Sequence, residues 1–470
     1  MFLDRIVGPL SDLDGRTWDA SHILSLAQQR AERYAALGFK HSDRVFLHHG
    51  NTLEFFVDLL AVWELGGCAI PIDGRLTAFE VETLAGAAKP RFSVWKDEPE
   101  SGLSASLAAL GVTVLTGWDE KIVSRTSQSN QRNAGLMLDD EALILFTSGT
   151  TGKPKGVVHT HRSLRARWVS LRQSLGLDSY RRTLCLLPTH FGHGLICNCL
   201  FPWLSGQYLF VGPPFRPDVV MRLGGILDQH EITFMSSVPP VWKLALKTTK
   251  PPQSRTLKRI FCGSAPLSAA LWKSVQDWSG IQQVFNAYGI TETGSWIAGT
   301  TIPDFTPEDG LIDEAWGGVI SVLKSKSTDI APGFAEPRKP GESGYVWVNT
   351  PALMRSYLDR DDLTREVVTQ GWFVTGDIGL VDDRGYLYLR GREREEINKG
   401  GMKIYPSDID SVVERFEETT DVCTFAFEEP LQGEYIVDEI PRTSRGKVNR
   451  STVAERCASL KSVDFRALMR

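Results

Sequence analysis

Residues 142–161 read ALILFTSGTTGKPKGVVHTH, and this stretch decides the fold. An apolar run at 142–146 and a β-branched run from 156 predict two buried strands. Residues 147–156, which connect the two runs, include three glycines, four residues with a hydroxyl group and two lysines. Glycines let backbone N–H groups approach an anion, and hydroxyls and ammonium groups bind it, which is the chemistry of a polyphosphate site. A flexible surface turn is the simpler alternative on composition alone.

The loop does not match the Walker type of phosphate loop. That motif requires Gly-Lys followed by Ser or Thr and then a helix. Here Lys153 precedes Pro154, and Val157 and Val158 continue as a strand. The sequence therefore predicts a phosphate-binding loop between two strands.

Strand and helix patterns alternate on the N-terminal side of this loop. Asn51 and Glu54 resemble a capping box, and the apolar residues that follow are spaced as on one face of a helix: Phe55, Phe56, Leu59, Leu60 and Trp63. Gly66 and Gly67 stop this helix, and CAIPI at 68–72 predicts a strand. Such alternation is typical of an α/β fold with largely parallel sheets. Residues 302–343, rich in Pro, Asp, Glu and Gly, are expected to form surface connections.

A charged, glycine-containing stretch, GREREEINKGGMK, begins at residue 391 and predicts an exposed linker. We expect a large N-terminal domain of stacked α/β sheets (1–391) and a small, shortened α+β C-terminal cap domain (392–470). The 30 residues between Asp410 and Pro441 have room for at most one helix and two strands, given about 11–12 residues per helix and 5–6 per strand. The predicted elements are a helix at 410–418 and strands at 422–427 and 434–440.

Composition narrows the functional class. The 470 residues carry 52 Lys and Arg against 57 Asp and Glu, a net charge of −5, so no attraction to nucleic acid is expected. Seven cysteines show neither a disulfide framework nor paired zinc-ligand spacing. No apolar run approaches the roughly 20 residues of a membrane span, and Asp4 and Arg5 interrupt any signal core. We expect a cytoplasmic protein without integral membrane association.

The sequence around the loop, LFTSGTTGKPKGVVHTH (145–161), resembles the signature of the adenylate-forming superfamily. This superfamily comprises acyl- and aryl-CoA ligases, adenylation domains of peptide synthetases and firefly-type luciferases. Further segments resemble its motifs in the same order: GSAPLS (263–268), NAYGITETG (286–294), GWFVTGD (371–377), GREREEINKGGMKIYPSDID (391–410) and PRTSRGK (441–447). The resemblance spans roughly residues 40 to 450.

The resemblance implies a two-step reaction. A carboxylate attacks the α-phosphate of Mg-ATP and forms an acyl-adenylate and pyrophosphate. A pantetheine thiol, on coenzyme A or on a carrier protein, then displaces AMP and forms a thioester. Because two anions must meet in the first step, their charge has to be neutralised where it develops.

The resemblance also assigns roles to residues of this chain. Lys447 would bridge the carboxylate and the α-phosphate, Thr291 would bind the α-phosphate, and Glu292 would ligate Mg²⁺. Tyr288 would stack on adenine, Asp377 would accept hydrogen bonds from the ribose, and Arg392 would reach the ribose or the phosphates. The other ATP- or AMP-binding residues are Thr147, Ser148, Gly149, Thr150, Thr151, Gly152, Lys155, Gly263, Ser264, Ala265, Asn286, Ala287 and Gly289.

PTHFGHGL (188–195) occupies the place of the acid-pocket motif, with Phe191 where the family usually has histidine. The predicted pocket residues are His190, Phe191, Gly192, His193, Ser295 and Trp296. For His190 and His193, contact with the substrate and ordinary polar lining are two equally favoured interpretations. The HxxH spacing could suggest a metal site, but no third ligand lies at a recognisable spacing. No Asp or Glu lies between Asp178 and Asp218 to pair with an ammonium, which disfavours an α-amino acid.

A bulky Trp296 would shorten the pocket and favour a small, aryl or medium-length acid. Arg394 occupies the hinge position, and Gly400 and Gly401 would line the thiol tunnel after domain rotation. The shortened cap makes the thioester step less secure than adenylation, so a phosphopantetheinyl carrier protein is the alternative acceptor to coenzyme A. A nucleotide-binding scaffold is disfavoured because it would not need Glu292, Asp377 and Lys447 together, and a light-emitting oxidase is the remote alternative.

Overall fold

Two mixed β-sheets packed with helices form the body of the chain in the computed structural model. The structure describes residues 7–117, 136–147, 154–301, 305–329, 335–395, 397–399, 402–414, 416, 419, 421–425, 437, 439–442, 448 and 450–457. Within these ranges the strands are β1 Leu10–Asp12, β2 Thr17–Trp18, β3 Arg44–Leu47, β4 Cys68–Pro71, β5 Phe92–Val94, β6 Thr113–Leu115, β7 Glu141–Thr147, β8 Lys155–Thr160, β9 Arg182–Cys185, β10 Tyr208–Val211, β11 Phe234–Ser237, β12 Arg259–Gly263, β13 Val284–Ile290, β14 Ser295–Gly299, β15 Leu311–Ala315, β16 Val319–Leu323, β17 Gly344–Asn349, β18 Ser356–Tyr357, β19 Val368–Thr369, β20 Trp372–Val381, β21 Leu387–Arg392, β22 Ile397–Lys399 and β23 Met402–Ile404. The helices are α1 Ala20–Ala36, α2 Leu53–Glu64, α3 Ala78–Ala88, α4 Ser101–Ala109, α5 His161–Leu175, α6 Phe201–Trp203, α7 Pro217–Val220, α8 Leu223–Gln229, α9 Pro239–Thr248, α10 Ala269–Ser279, α11 Asp361–Val367, α12 Pro406–Val413 and α13 Arg450–Cys457. A π-helix, His193–Leu200, leads directly into α6.

The larger sheet changes character along its width. Its order is β16-β17-β20-β21-β15-β14-β13-β12-β11-β9-β10-β1-β2, with β19 beside β20. Neighbours from β13 to β1 are parallel, and neighbours from β13 to β16 are antiparallel. The predicted α/β class is confirmed, but the expectation of largely parallel sheets holds for only one side of this sheet.

The second sheet carries the decisive stretch of sequence. Its order is β18-β8-β7-β4-β3-β5-β6. The predicted strands on both sides of the phosphate loop are present as β7 and β8, and they pair antiparallel. A short loop permits only this pairing, because a parallel pair needs a crossover of a dozen or more residues.

Helix α2 confirms the predicted apolar periodicity but not the predicted cap. Thr52 caps the helix by accepting from the Phe55 N–H. Asn51 instead donates to the carbonyls of Leu187 and Gly212, at 2.9 Å each. The capping-box prediction was wrong because the Asn51 amide has partners distant in sequence.

Two predictions for the second half of the chain were also wrong. Residues 302–343 are not only surface connections, because β15 and β16 are strands of the larger sheet. Of the strand predicted at 422–427, the described residues 422–425 have no regular structure. Most of the strand predicted at 434–440 lies outside the described residues. The helix predicted at 410–418 corresponds to α12, which begins four residues earlier, at Pro406.

A buried polar cluster joins α1 to α2. Asp58, fully inaccessible, accepts from Arg30 Nε at 2.7 Å, Tyr34 Oη at 2.6 Å and His49 Nε2 at 2.8 Å. These charged hydrogen bonds hold the pKa of Asp58 below its usual range despite its burial. In the part of the chain that the structure describes, no helix combines the length and apolar character needed to cross a bilayer.

Candidate active site

The two strands β7 and β8 bring the ends of the phosphate loop together. Thr147 and Lys155 are partners in the strand register, and the Thr147 hydroxyl donates to the Lys155 carbonyl at 3.4 Å. The Lys155 ammonium lies 5.2 Å from the centre of the Tyr357 ring, a cation–π distance. The intervening predicted residues, Ser148, Gly149, Thr150, Thr151 and Gly152, lie outside the described residues.

Three predicted residues from distant motifs meet on interior strands of the larger sheet, β13, β20 and β21. The Tyr288 hydroxyl donates to Asp377 Oδ2 at 2.5 Å, and Arg392 Nε lies 3.0 Å from Asp377 Oδ1. Asp377 and Arg392 are also register partners on β20 and β21. Burial and the neighbouring carboxylate raise the pKa of Tyr288, so the phenol stays a donor, while Asp377 raises the pKa of Arg392. The cluster is therefore a fixed carboxylate flanked by an aromatic ring and a cation.

The turn that carries Thr291 and Glu292 is held from several sides. His159 Nε2 lies 2.8 Å from the Thr291 carbonyl, and the Met354 N–H donates to the Glu292 carbonyl at 2.7 Å. The Tyr357 hydroxyl donates to Glu292 Oε1 at 2.7 Å. Within the described chain, Glu292 Oε2 has no hydrogen bond or ion pair at contact distance, although the Glu292 charge also acts to raise the pKa of Arg392. An available carboxylate oxygen fits the preference of Mg²⁺ for oxygen ligands, of which the protein usually supplies one or two.

Arg167 supports the same turn from beneath. It is fully buried and donates to the Thr293 carbonyl at 2.9 Å, the Trp316 carbonyl at 2.9 Å and the Thr350 hydroxyl at 3.3 Å. Burial lowers the pKa of Arg167 to about 10, so the side chain is still charged at neutral pH. Because the buried guanidinium donates hydrogen bonds to backbone carbonyls, it fixes the path of the turn.

The predicted acid-pocket residues form one wall. His193 joins two strand ends, with Nδ1 at 2.8 Å from Ser264 Oγ and Nε2 at 2.6 Å from Ser236 Oγ. A Cβ at Gly192 would lie 3.7 Å from the Cβ of Ser295, so these two residues face each other closely. Trp296 is 1% exposed, with its ring centre 5.2 Å from that of His193 and 4.9 Å from that of Phe261.

His190, also a predicted pocket residue, lies near a residue that is distant in sequence. Its Nε2 lies 3.4 Å from Asp73 Oδ2. Asp73 also accepts from Arg75 Nε at 3.0 Å. The fold thus brings the Asp73 carboxylate to the pocket loop, although the interval 178–218 contains no acidic residue of its own. Arg75 and His190 already contact that carboxylate.

Other predicted residues differ in what they contact. The Asn286 amide donates to the Leu311 carbonyl, so its role toward a nucleotide stays a prediction. Gly263 and Gly289 sit where a Cβ would meet a carbonyl oxygen at 2.2 and 2.0 Å, respectively, which explains both glycines by close strand packing. Ala265 and Thr291 are half-buried, Ala287 and Phe191 are buried, and Arg394 is exposed. Lys447, Gly400 and Gly401 lie outside the described residues.

Sequence reasoning assigned no site role to Tyr357, Asn51, His159, Arg167 or Asp73, although His159 lies within the 145–161 motif and Asn51 was predicted to cap a helix. Four of these residues reach their partners across more than 100 residues, and the contact of Tyr357 with Glu292 spans 65. Within the described ranges, no group of three or more His, Cys, Asp or Glu side chains could hold a metal ion.

Acidification is expected to destabilise the fold through His159. Burial lowers the pKa of His159 to about 4, from 6.5 for an exposed imidazole. A depressed pKa means that the unfolded chain binds the proton more readily, so this stability is complete above about pH 6.5 and is lost as the pH falls toward 4. Between pH 7 and pH 5 the loss is about 2 kcal/mol. Urea unfolding at pH 7 and pH 5 measures the drop in the free energy of unfolding, which should be smaller by about 2 kcal/mol in His159→Gln than in the unaltered protein. An equal drop in the two proteins would contradict the assignment to His159.

The family comparison agrees with this geometry. The model of the AMP-binding enzyme family matches residues 10–358. A probable CoA ligase, CCL9, from Humulus lupulus is 26% identical over 488 residues, covering 93% of this chain and 90% of the relative. The long-chain-fatty-acid–CoA ligase FadD13 of Mycobacterium tuberculosis is 29% identical over 452 residues, covering 93% and 85%.

Solved structures show the same fold. The o-succinylbenzoate CoA synthetase MenE of Bacillus subtilis, in complex with its acyl-adenylate intermediate OSB-AMP, superposes with a TM-score of 0.81 at 21% identity, covering 98% of this chain and 97% of that one. The large N-terminal and small C-terminal architecture of such enzymes is therefore present here. From the family match and the shared architecture we conclude that this chain belongs to the AMP-binding enzyme family, as an enzyme of the acid–thiol ligase type.

Proposed function

We propose that the chain activates a carboxylic acid with ATP to an acyl-adenylate and transfers the acyl group to the thiol of coenzyme A. The observation that carries the proposal is the proximity of two clusters from separate motifs, since the charge of Glu292 in one acts on Arg392 in the other and raises its pKa. One is Tyr288, Asp377 and Arg392, and the other is Glu292 with Lys155 joined through Tyr357. A nucleotide needs both a ribose acceptor and a triphosphate site.

In this proposal the first cluster holds the nucleoside. Asp377 accepts from the ribose hydroxyls, the Tyr288 ring contacts adenine, and Arg392 keeps the carboxylate oriented. Thr147, Lys155 and the glycine-rich residues between them bind the phosphates. Glu292 and the phosphates would hold Mg²⁺, which neutralises phosphate charge when bound. Lys447, from the proposed mobile domain 392–470, reaches the reacting carboxylate only when that domain is docked.

The acid lies against Gly192, His193 and Ser295, with Trp296 behind them. Moving the buried Trp296 indole away from Phe261 would cost free energy, because a well-packed interior resists changes of volume. The proposed substrate is therefore an aryl or a short to medium acyl acid. An α-amino acid is not proposed, since Asp73 is already paired with Arg75 and lies 3.4 Å from His190.

Coenzyme A is the proposed acceptor because relatives that cover most of the chain are named CoA ligases. The free cysteines, six of them buried, support a reducing cytoplasm as the compartment. A carrier protein as acceptor would be an outcome of the assay below.

ATP–pyrophosphate exchange with a panel of aryl, short, medium and long-chain acids tests the proposal. We expect exchange with an aryl or short to medium acid and none without acid. Trp296→Gly should move the preference toward longer acids, since it removes the bulk behind the pocket. Adding coenzyme A or a phosphopantetheinylated carrier protein then identifies the acceptor by the thioester formed. The acid-activation proposal fails if no acid supports exchange, and the pocket assignment fails if Trp296→Gly leaves the chain-length preference unchanged.

A further inference from the structure

Tyr357 links two parts of the candidate site that belong to different motifs. It is the second residue of β18, pairs with Val157 of β8, and is 4% exposed. Its hydroxyl donates to Glu292 Oε1 at 2.7 Å, and its ring faces the Lys155 ammonium at 5.2 Å. One side chain therefore contacts both the end of the phosphate loop and the acidic turn.

The position of Tyr357 is itself fixed by backbone hydrogen bonds. The Arg355 N–H donates to Val158 and the Leu358 N–H donates to Gly156, at 2.8 Å each, while the Tyr357 N–H donates to the Thr364 hydroxyl at 3.0 Å. The same segment also holds Glu292 through the Met354 N–H. A side chain that is anchored in this way can impose a direction on the carboxylate it contacts.

We infer that Tyr357 is a positioning residue for Mg-ATP: its hydroxyl orients the Glu292 carboxylate toward the metal, and its ring holds Lys155 beside the phosphates. The hydrogen bond occupies Oε1 and leaves Oε2 without a hydrogen bond or ion pair at contact distance in the described chain, so the carboxylate presents one defined oxygen. Partners of this kind around metal-binding carboxylates typically change metal affinity or activity 10–100-fold when removed. The inference rests on the proposed function, because it requires a metal–nucleotide complex at this site.

A phenol hydroxyl suits this role because it is an uncharged hydrogen-bond donor. It directs the Glu292 carboxylate without placing a further full positive charge at contact distance, as a lysine or arginine at this position would.

Direct metal binding tests the inference without an acid substrate. Mn²⁺ serves as the probe, titrated by electron paramagnetic resonance in the presence of an α,β-methylene analogue of ATP. Tyr357→Phe, which keeps the ring and removes the hydroxyl, should raise the Kd of Mn²⁺ about 10–100-fold. Tyr357→Leu should in addition weaken metal-free binding of the analogue about 2–5-fold, because the ring facing Lys155 is lost.

Tyr388→Phe is the matched control, because the Tyr388 hydroxyl donates to Glu308 Oε2 at 2.9 Å in another part of the chain. It should leave Mn²⁺ binding within 2-fold of the unaltered protein (about 0.4 kcal/mol). A double-mutant cycle is completed by Glu292→Gln and by the double variant that also carries Tyr357→Phe. Once the carboxylate is gone, Tyr357→Phe should cause no further increase in the Kd of Mn²⁺.

Unchanged Mn²⁺ affinity in Tyr357→Phe, an equal loss in Tyr388→Phe, or additive effects in the cycle would overturn the inference. In ATP–pyrophosphate exchange, high Mg²⁺ should restore most of the Tyr357→Phe rate, whereas general damage to the fold would persist. The binding measurement also separates the two proposals. Absence of exchange with every acid rejects the acid-activating function, while the difference in Mn²⁺ affinity would stand on its own.

Discussion

Replacing Lys447 with alanine should lower the rate of ATP–pyrophosphate exchange about 10²–10³-fold, the usual cost of losing one group that stabilises charge in a transition state. Lys447 ends the PRTSRGK segment, and its ammonium is proposed to bridge the carboxylate and the α-phosphate. In the proposed ground state Asp377 and the phosphate loop hold the nucleotide, so kcat should fall much more than KM for ATP rises. Initial rates over a range of ATP concentrations measure both quantities.

The second half-reaction provides the control for Lys447. If the small domain rotates between steps, Lys447 serves only adenylation, and Lys447→Ala should still form thioester from a supplied acyl-adenylate at nearly the normal rate. Lys461→Ala, a lysine outside the PRTSRGK segment, should leave both steps intact. Equal losses in the two half-reactions would show that Lys447 supports the fold or both chemical steps.

Replacing Asp58 with asparagine should lower the free energy of unfolding by about 3–5 kcal/mol, because breaking a buried ion pair leaves an uncompensated charge. Asp58 accepts from Arg30, Tyr34 and His49, and Arg30 is itself buried. The neutral amide keeps the shape but cannot balance the guanidinium. Urea unfolding at pH 7 measures the change.

A surface pair gives the matched control for Asp58. Asp139 and Arg162 form an ion pair at 2.6 Å with both side chains more than half exposed. Water and salt screen such pairs, so Asp139→Asn should cost less than about 1 kcal/mol. If Asp58→Asn costs no more than Asp139→Asn, the buried cluster does not stabilise the fold as argued.

Local sequence was sufficient for the elements whose signal is contained within a few residues. The strands on both sides of the phosphate loop followed from two apolar runs, and α2 followed from apolar spacing alone. The motifs identified Tyr288, Asp377 and Arg392 as candidate site residues, and the structure brings these three side chains together. The roles of these residues toward ATP stay predictions, as does the boundary at 391.

Local sequence failed where a side chain is satisfied by distant backbone. Asn51 looked like a helix cap because Asn and Glu at that spacing usually serve as one, but its amide instead holds the carbonyls of Leu187 and Gly212. Residues 302–343 looked like a loop because of their polar composition, yet β15 pairs with β14 and β21, and β16 pairs with β17, as strands of the larger sheet. Sheet pairing, unlike helix formation, draws its hydrogen bonds from elsewhere in the chain.

The sequence by itself determined the family, the α/β class and the residue types of the candidate nucleotide site, because these depend on contiguous motifs. Only the tertiary structure decided that Tyr357 contacts Glu292 and Lys155, that Asp73 reaches His190, and that Arg167 lies beneath the acidic turn. The physical reason is that hydrogen bonds and ion pairs depend on distance and direction in space. A residue acquires such partners only after the sheets have assembled, and no local pattern encodes them.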